Sequence, residues 1–320
     1  MSDAIFETLA KELPGVQRNV PLAEYSNFKI GGPAEYFFIA QTREEVLKAI
    51  ALAQQSGIAV FVLGGGTNLL IADAGVKGLV VKIGELGKIT IDGEVISAGA
   101  GVLMDKMVAA SINHSLKGLE WAGGLPGTFG GAIRGNAGAF GGEIKDTILK
   151  VEALAENMQL KTFDNAQCQF SYRHSIFKEK NWVVLSASVR LTSANEKELQ
   201  GIADSHIAYR QKNHPLEYPS AGSVFKNVDV KKILPEFIGQ FLDKIKQDPF
   251  PIVPAAWFII GAGLTGTQIG QAQISTKHSN YIINLGGAKA QDILQLIEVV
   301  KNTIKEKYNI ELEVEVQYVK

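Results

Sequence analysis

The sequence feature that most constrains the fold is a glycine-rich stretch between residues 118 and 146. Ten of the 25 residues from Gly118 to Gly142 are glycine, whereas glycine makes up about 7% of an average protein. Each glycine costs roughly 0.5–1 kcal/mol in a helix or strand relative to alanine, so we expect neither there. Large apolar residues between the glycines argue against a flexible linker. The stretch therefore predicts folded backbone in close contact with something flat or anionic, where a Cβ atom would obstruct.

A second glycine cluster, Gly64–Asn68 with the sequence GGGTN, follows the apolar run Ile58–Leu63. Upstream, Ala34–Ala40 is predicted as a strand, and Thr42–Glu45 has the spacing of a capping box at a helix N-terminus. The predicted strand–helix–strand unit ends in the triple glycine, as a phosphate-binding βαβ fold requires. Two glycine loops in one chain indicate a large phosphate-bearing ligand, and we predict a dinucleotide.

The remaining pattern alternates helices and strands and predicts a mixed fold. Further strands are predicted at 76–83, 88–91, 95–98, 151–155, 168–171 and 182–191, and helices at 1–15, 104–116, 193–210 and 290–308. The helix from residue 193 is expected to start with a capping box of Ser193 and Glu196. In the last segment, 310–318, apolar residues alternate with polar ones, which predicts a strand with Glu311, Glu313 and Glu315 on one face.

Composition excludes several classes of function. The net charge of −1 gives no electrostatic reason to expect nucleic acid or an anionic membrane. The single cysteine, Cys168, excludes an internal disulfide, and the five histidines lack metal-ligand spacing, so no metal is predicted. The uncharged run Pro249–Thr276 is interrupted by prolines and is too short at its apolar centre to span a bilayer. The N-terminus does not resemble a secretory signal, so a cytoplasmic protein is expected.

One motif is a decoy. Gly261–Gly266 matches G-x-G-x-x-G after an apolar run, the fingerprint of a nicotinamide dinucleotide site. The acid expected about 20 residues later is missing, because Tyr281 and its neighbours are uncharged. We therefore predict a turn rather than a second dinucleotide site.

Four motifs together resemble one family. They are the two glycine clusters, the sequence SYRHSIFK at 171–178 and the sequence GSVFKN at 222–227. The family is the bacterial UDP-N-acetylenolpyruvoylglucosamine reductases, and the resemblance runs from about Tyr25 to Val319. The proline-flanked sequence LEYPSAGS at 216–223 is similar to the shorter, type II branch.

The resemblance implies an α+β fold with a two-lobed FAD-binding domain of the vanillyl-alcohol-oxidase type and an α/β substrate-binding domain. The expected divisions are 1–83 and 84–195 for the two lobes and 196–320 for the substrate domain. The implied reaction uses NADPH to reduce non-covalently bound FAD, which passes hydride to the enolpyruvyl group of a UDP-sugar. The product, UDP-N-acetylmuramate, is a peptidoglycan precursor. The implied partners are these small molecules, with no nucleic acid or membrane, and the implied state is a monomer.

The resemblance also implies which residues contact FAD. Consecutive N–H groups of the first loop would form an anion-binding nest, although an ordinary tight turn is the alternative. The family usually has tyrosine where this chain has Phe140, so one hydroxyl contact is in doubt. The implied cofactor-binding residues are Gly64, Gly65, Gly66, Thr67, Asn68, Gly124, Pro126, Gly127, Thr128, Gly130, Gly131, Asn136, Gly138, Ala139 and Gly141.

Three residues correspond to the family's catalytic groups: Arg173, Ser223 as proton donor, and Glu315 as second acid. A guanidinium suits the carboxylate of an enolpyruvyl group, although an isolated arginine is usually a solvated residue. A serine hydroxyl donates a proton only when it is held in place, and a plain turn serine is the alternative. Periodicity alone cannot choose Glu315 over the other two glutamates. The implied substrate-binding residues are Lys226 and Asn227, and Gln317 stands where the family usually has arginine.

Two other functions remain open on the sequence alone. One is a flavin oxidase of the same superfamily, acting on an alcohol or sugar; no histidine lies in either glycine loop, which argues against the covalently attached flavin that such oxidases often carry. The other is an inactive protein that binds a nucleotide sugar. The joint presence of Arg173, Ser223 and Glu315 weighs against the inactive protein.

Overall fold

The structure is a computed structural model that describes residues 2–84, 86 and 88–320. Met1 of the predicted first helix, and Glu85 and Gly87 of the predicted second lobe, lie outside the described residues. The chain forms two compact units: unit 1 comprises Met1–Val20, Ala34–Gly65 and Lys77–Tyr209, and unit 2 comprises Pro21–Pro33, Gly66–Val76 and Arg210–Lys320. The predicted division at residues 83 and 195 stays a prediction.

The helices and strands follow one another along the chain in mixed order. The helices are α1 (Ser2–Glu12), α2 (Arg43–Gln55), α3 (Met104–Asn113), α4 (Phe129–Gly135), α5 (Ile176–Glu179), α6 (Glu196–Asn213), α7 (Pro235–Ile238), α8 (Ala255–Gly261) and α9 (Ala290–Tyr308). The strands are β1 (Gln17–Pro21), β2 (Pro33–Ala40), β3 (Val60–Leu63), β4 (Leu69–Ile71), β5 (Val76–Ile83), β6 (Thr90–Asp92), β7 (Val95–Gly99), β8 (Leu116–Lys117), β9 (Gly138–Ala139), β10 (Gly142–Glu143), β11 (Ile148–Leu154), β12 (Leu160–Asp164), β13 (Val183–Arg190), β14 (Thr192–Ser193), β15 (Val228–Asp229), β16 (Ile252–Val253), β17 (Gln268–Ile269), β18 (Ala272–Ile274), β19 (Ile282–Asn284) and β20 (Gln317–Val319).

Unit 1 contains two larger sheets and the two-stranded pairs β9-β10 and β8-β14. The first has the order β1-β2-β5-β3, with β3 parallel to β5, and shares a core with α1 and α2. The predicted capping box of α2 is present, since Thr42 Oγ1 accepts from Glu45 N at 3.1 Å and the Glu45 carboxylate accepts from Thr42 N. The second sheet, β12-β11-β13-β7-β6, is antiparallel throughout and packs its apolar face against α3 and α4.

Unit 2 is built around α9, whose predicted bounds are confirmed. The buried face of α9 includes Ile293, Ile297, Val300 and Ile304, because apolar residues at this spacing lie on one side of a helix. The helix packs on the antiparallel sheet β17-β18-β19, and a separate parallel pair joins β20 to β4.

Several predicted elements differ in the structure. The glycine-rich stretch does contain a helix, α4, and a short hairpin, β9–β10. The predicted strand 168–171 is wrong, because a 3-10 turn ends at Cys168. The helix predicted at 104–116 ends at Asn113, and β12 was not predicted.

The capping box predicted at Ser193 is also wrong, because Ser193 lies in β14. Asn195 takes its place, and its side chain accepts from Glu198 N at 3.2 Å in the first turn of α6. In the C-terminal segment only β20 is a strand. Val314, predicted to face inward, is 37% exposed, since the segment pairs with its neighbour through a single bridge there.

Within the described residues, none of the helices combines the length and apolar character that a bilayer crossing requires. The uncharged run Pro249–Thr276 instead forms β16, α8 and the hairpin strands β17 and β18.

Candidate functional site

The two predicted cofactor loops meet in unit 1. A Cβ atom added to Gly65 would lie 2.9 Å from Gly127 Cα, and one added to Gly64 would lie 3.0 Å from Thr128 Oγ1. Real Cβ atoms essentially never approach closer than about 3 Å, so this contact requires glycine at residue 65. Gly64 and Gly65 of the first cluster and the Leu125–Gly131 segment, which are about 60 residues apart in sequence, therefore form one surface.

Helix α4 explains why glycines follow Thr128. Thr128 is the N-cap residue, and its Oγ1 accepts from Gly131 N at 3.3 Å. Gly130 donates from its N–H to Ala100 O at 2.8 Å, and a Cβ atom at Gly130 would lie 2.6 Å from Ala100 Cβ. Gly130 therefore allows α4 to pack closely on Ala100, and the expectation that the glycines of this stretch contact a ligand stays a prediction.

Asn136 lies within the protein, although the sequence places it in the cofactor surface. It ends α4 in the left-handed conformation with φ +41° and is fully buried. Its Nδ2 donates to Ser171 O at 2.9 Å, and its Oδ1 accepts from Lys145 N at 3.1 Å. The side chain therefore ties the glycine-rich stretch to the turn that carries Arg173.

The β9–β10 hairpin places Phe140 at its tip. Phe140 and Gly141 both have positive φ, +51° and +88°, as a two-residue hairpin turn of the primed type requires. The Phe140 ring stacks on His206 with centroids 4.0 Å apart and meets Tyr209 edge-on at 5.4 Å. The ring that replaces the family's usual tyrosine is thus held by α6.

Arg173 is anchored to this hairpin. It lies in a tight turn closed by reciprocal hydrogen bonds between Ser171 and His174, with φ +56°. Its Nη2 donates to Gly138 O at 2.8 Å. Below the turn, the buried Ser175 hydroxyl donates to Arg134 O at 2.7 Å. Three predicted site residues, Asn136, Gly138 and Arg173, therefore form one connected network in unit 1.

In unit 2, the remainder of the first glycine loop contacts the C-terminal segment. Asn68 Nδ2 donates to Glu315 O at 3.2 Å, and Gln317 N donates to Asn68 O at 3.0 Å. Gly66 has φ +66°, and a Cβ atom there would overlap Tyr25 O, so glycine is required at this position. A predicted cofactor residue thus touches the segment that carries a predicted acid.

Ser223 and Glu315 lie on neighbouring segments of unit 2. Glu315 N donates to Val224 O at 2.8 Å, and Lys226 N donates to Glu313 O at 2.9 Å. Gly222 precedes the serine with φ +79°, which favours glycine at this position. Asn227 Oδ1 accepts from Ala255 N at 3.3 Å, which fixes the other end of the segment. The structure therefore places the segments that carry the predicted proton donor and second acid side by side, joined at Val224 and Glu315.

The other two glutamates hold lysines. Glu311 pairs with Lys305 at 2.8 Å, and Glu313 pairs with Lys226 at 3.1 Å and Lys232 at 2.8 Å. The hydrogen bond from Lys305 lowers the pKa of Glu311, and the bonds from Lys232 and then Lys226 lower the pKa of Glu313. Both carboxylates are kept ionised as ion-pair partners, and the choice of Glu315 as the candidate acid stays a prediction from the family resemblance.

Asn280 was missed by the sequence reading. Its side chain accepts from Phe225 N at 3.0 Å and donates to Phe225 O at 2.8 Å, while its own carbonyl accepts from Val224 N at 2.8 Å. Only 3% of the residue is exposed. The amide acts as a strand partner for the segment beside Ser223. No local sequence pattern predicts this contact, because Asn280 and Phe225 lie 55 residues apart.

A cluster of aromatic and basic side chains lies next to this segment. Tyr281 Oη lies 3.1 Å from His214 Nδ1, and the His278 ring packs edge-on against both rings. Burial lowers the pKa of His214 to about 4, with further contributions from His278, Arg210 and Lys277. His214 is therefore neutral at pH 7.

The decoy motif is part of a turn, as expected. Gly261 ends α8, and the chain then enters the hairpin strands β17 and β18 rather than a helix.

A groove of about 590 Å³ lies elsewhere, over the polar face of the five-stranded sheet, and includes Lys150, Glu152 and Ser186. Its described lining contains none of the predicted site residues. The described part of the chain also contains no cluster of three or more His, Cys, Asp or Glu side chains that could hold a metal.

The residues at the meeting point of the loops fit a dinucleotide. The predicted contact residues carry no acidic side chain that would repel a pyrophosphate, and Thr128 supplies a polar group where the loops touch in unit 1. Glycine at 64 and 65 keeps the surface free of side chains where the loops touch. The donor set therefore suits FAD.

Comparison with known proteins agrees with this geometry. The family model described as "FAD binding domain" matches residues 34–163, and the one described as "UDP-N-acetylenolpyruvoylglucosamine reductase, C-terminal domain" matches residues 214–319. The reductase of that name from Caldanaerobacter subterraneus is 40% identical over 301 residues, covering 94% of this chain and 92% of the relative. The one from Lactobacillus acidophilus is 39% identical over 311 residues, covering 97% of each. A solved reductase from Thermus caldophilus matches with a TM-score of 0.75 and 28% identity, covering 95% of this chain and 99% of that one.

The fold and the glycine-rich surface thus define a FAD-containing oxidoreductase of α+β architecture. Within that class, the chain belongs to the UDP-N-acetylenolpyruvoylglucosamine reductase family. The predicted family, fold class, FAD cofactor and NADPH-dependent enzyme class are confirmed.

Proposed function

We propose that this chain reduces UDP-N-acetylglucosamine enolpyruvate to UDP-N-acetylmuramate with NADPH, in peptidoglycan precursor synthesis. FAD, when bound, carries hydride from NADPH to the enolpyruvyl double bond. Family membership over 94% of the chain supports the reaction. The hydrogen bond that joins the Ser223 segment to Glu315 is the observation that supports the residue roles. In this proposal the enzyme works as a cytoplasmic monomer whose partners are the UDP-sugar and NADPH.

Arg173 is assigned to the substrate carboxylate. Hydride addition to the terminal enolpyruvyl carbon leaves negative charge on the neighbouring carbon, and this charge spreads into the attached carboxylate. A guanidinium stabilises such charge through two parallel hydrogen bonds. The bond from Nη2 to Gly138 O fixes the orientation of the Arg173 side chain beforehand, so little reorganisation is needed during the reaction.

Ser223 is assigned as proton donor to that neighbouring carbon, with Glu315 as the second acid. A serine hydroxyl has no favourable pKa for this task, so geometry must supply the advantage. The geometry comes from Gly222 and from the pairing with Asn280 and Glu315. Lys226 and Asn227 are assigned to the uridine diphosphate, and the glycine loops to FAD, including Thr67, Gly124, Pro126 and Ala139.

The residue roles are tested by separating the two half-reactions in a stopped-flow instrument. In Ser223→Ala, NADPH should reduce the flavin at the wild-type rate, while reoxidation by the UDP-sugar should slow by roughly 10²–10⁴-fold, the usual contribution of a general acid. Glu315→Gln should also slow reoxidation, whereas the matched variant Glu313→Gln should not. Wild-type reoxidation in Ser223→Ala would show that another group donates the proton.

A further inference from the structure

Tyr281 contacts both ends of the loop that carries the proposed proton donor. We call residues 214–223 the Ser223 loop. At its start, His214 Nδ1 lies 3.1 Å from the Tyr281 hydroxyl. At its end, Ser223 is the antiparallel bridge partner of Tyr281. The Tyr281 side chain at the start and the Tyr281 backbone at the end thus close a loop of ten residues.

The pairing places the Ser223 and Tyr281 side chains on the same face. Val224 N donates to Asn280 O, so the bond lies one residue beyond the bridge pair on each strand. In antiparallel pairing this pattern makes Ser223 and Tyr281 a non-hydrogen-bonded pair, whose Cα atoms are about 4.5 Å apart and whose side chains are neighbours. The buried Tyr281 ring therefore forms a wall beside the Ser223 side chain.

The start of the Ser223 loop is also held by hydrogen bonds from Leu216 N to His214 O and from Tyr218 N to Pro215 O, and by an ion pair between Lys277 and Glu217. Leu216 is 58% exposed, and a Cβ atom added to Gly222 would have no other atom within 4 Å. In the middle of the loop, Asn284 N donates to Pro219 O at 2.9 Å. Gly222, directly before the serine, has φ +79°, which glycine adopts readily, so the contact at His214 and the bridge at Ser223 together limit how the loop presents the serine.

We propose that Tyr281, held by His214, is a positioning residue that fixes the Ser223 hydroxyl for proton transfer. The inference rests on the proposed role of Ser223. A misplacement of about 1 Å at a reacting group can slow a reaction roughly 10²-fold. The low pKa of His214 supports the arrangement, since a neutral imidazole offers Nδ1 as an acceptor for the phenol O–H.

The first test is Tyr281→Phe, which keeps the ring and removes only the hydroxyl. We expect reoxidation of the reduced flavin by the UDP-sugar to slow about tenfold or more, with a larger solvent deuterium isotope effect on this step. Reduction by NADPH should stay within about twofold of wild type. The matched control Tyr318→Phe removes an exposed phenol from the same unit and should leave both half-reactions unchanged. Equal slowing of both half-reactions, or none, in Tyr281→Phe would overturn the proposal.

The second test removes the other partner with His214→Gln and combines the two changes. If Tyr281 and His214 act together, the flavin of the double variant should be reoxidised no more slowly than that of the slower single variant. Slowing factors that multiply would show independent effects and overturn the proposal. Thermal unfolding of each variant, in which a single cooperative transition is expected, establishes that the proteins remain folded.

Ser223→Ala in the same assay separates this inference from the function on which it rests. If Ser223→Ala is inactive in reoxidation while Tyr281→Phe is normal, the positioning role alone fails. If Ser223→Ala reoxidises at the wild-type rate, the proton-donor assignment fails and the positioning role fails with it.

Discussion

The regions around Arg173 and Ser223 hold their catalytic candidates by different means. In unit 1, Arg173 lies in a turn fastened by side chains to a surface of closely packed glycine backbone. In unit 2, Ser223 lies on a short segment held between Asn280 on one side and the Glu313–Glu315 segment on the other. Closely packed glycine backbone with side-chain hydrogen bonds from Asn136 and Arg173 fixes the first region, and hydrogen bonds of a buried amide fix the second.

This difference predicts how each region should respond to substitution. A packed glycine surface tolerates loss of atoms but not their addition, because interiors are close-packed. A segment held by one buried amide tolerates neither loss of the amide nor exposure of the groups it satisfies. The following predictions test this contrast, in order of decreasing effect.

The largest effect is expected for Asn280→Ala. The change leaves the N–H and C=O of the buried Phe225 without their partner, and each unsatisfied buried group costs about 1–3 kcal/mol. We expect the free energy of unfolding in urea to fall by about 3 kcal/mol. The control Asn302→Ala, on the exposed face of α9, should change it by less than about 0.5 kcal/mol. Equal losses of unfolding free energy in both variants would contradict the claim that the buried Asn280 amide holds the Ser223 segment of unit 2.

The next effect concerns two glycines of the same helix, α4. Gly130→Ala places a Cβ atom 2.6 Å from Ala100 Cβ and should destabilise by about 1–3 kcal/mol through overpacking. Gly135→Ala meets no atom within 4 Å and should stabilise by up to about 1 kcal/mol through helix propensity. Urea unfolding of the two variants provides the comparison. The same sign for both changes would contradict the packing account of the glycine-rich stretch.

A smaller effect is expected from the pH dependence of His214. Its pKa of about 4 in the folded protein lies below the ordinary value of 6.5, so the unfolded chain binds the proton more readily. Its contribution to stability is full above pH 6.5 and is lost as the pH falls toward 4. In the variant His214→Gln, the loss of stability at low pH should be smaller than in wild type by about 1–2 kcal/mol. This difference is less than the full pKa shift of His214 implies, because the ring is partly exposed to solvent. Guanidinium unfolding at both pH values measures it.

The smallest effect is expected at the surface ion pair of unit 2. Lys232 is exposed and pairs with Glu313, which also binds Lys226. Lys232→Ala should change the free energy of unfolding by less than about 0.5 kcal/mol, because exposed pairs contribute little. A loss above about 1 kcal/mol in urea would place this pair among the restraints of the Ser223 segment.

The sequence predicted the elements whose signals are local. The capping box of α2 and the bounds of β5 and α9 are confirmed, because polar caps and apolar spacing act within a few residues. Helix α4 was missed because glycine's low helix propensity was overridden by contacts with Ala100 and Val102. Asn195 was missed as the cap because Ser193 also fitted the pattern.

The residues of the candidate site also divide into those that sequence motifs predicted and those that they did not. Arg173, Ser223 and Glu315 were selected by the order of several motifs rather than by periodicity, and the structure adds that the segments carrying the last two are hydrogen-bonded through Val224. Asn280 and Tyr281 gave no signal, because their importance depends on contacts with residues more than 50 positions away. Contacts of that range follow from the tertiary fold, which no local pattern encodes.

The central claim is that one flavin in this chain accepts hydride from NADPH and gives it to an enolpyruvyl UDP-sugar. The most direct test follows the flavin absorbance of the purified wild-type protein without oxygen. NADPH should bleach the absorbance, and subsequent addition of UDP-N-acetylglucosamine enolpyruvate should restore it with formation of UDP-N-acetylmuramate. A flavin that stays reduced after the sugar is added, or a protein that cannot be loaded with FAD, would contradict the account.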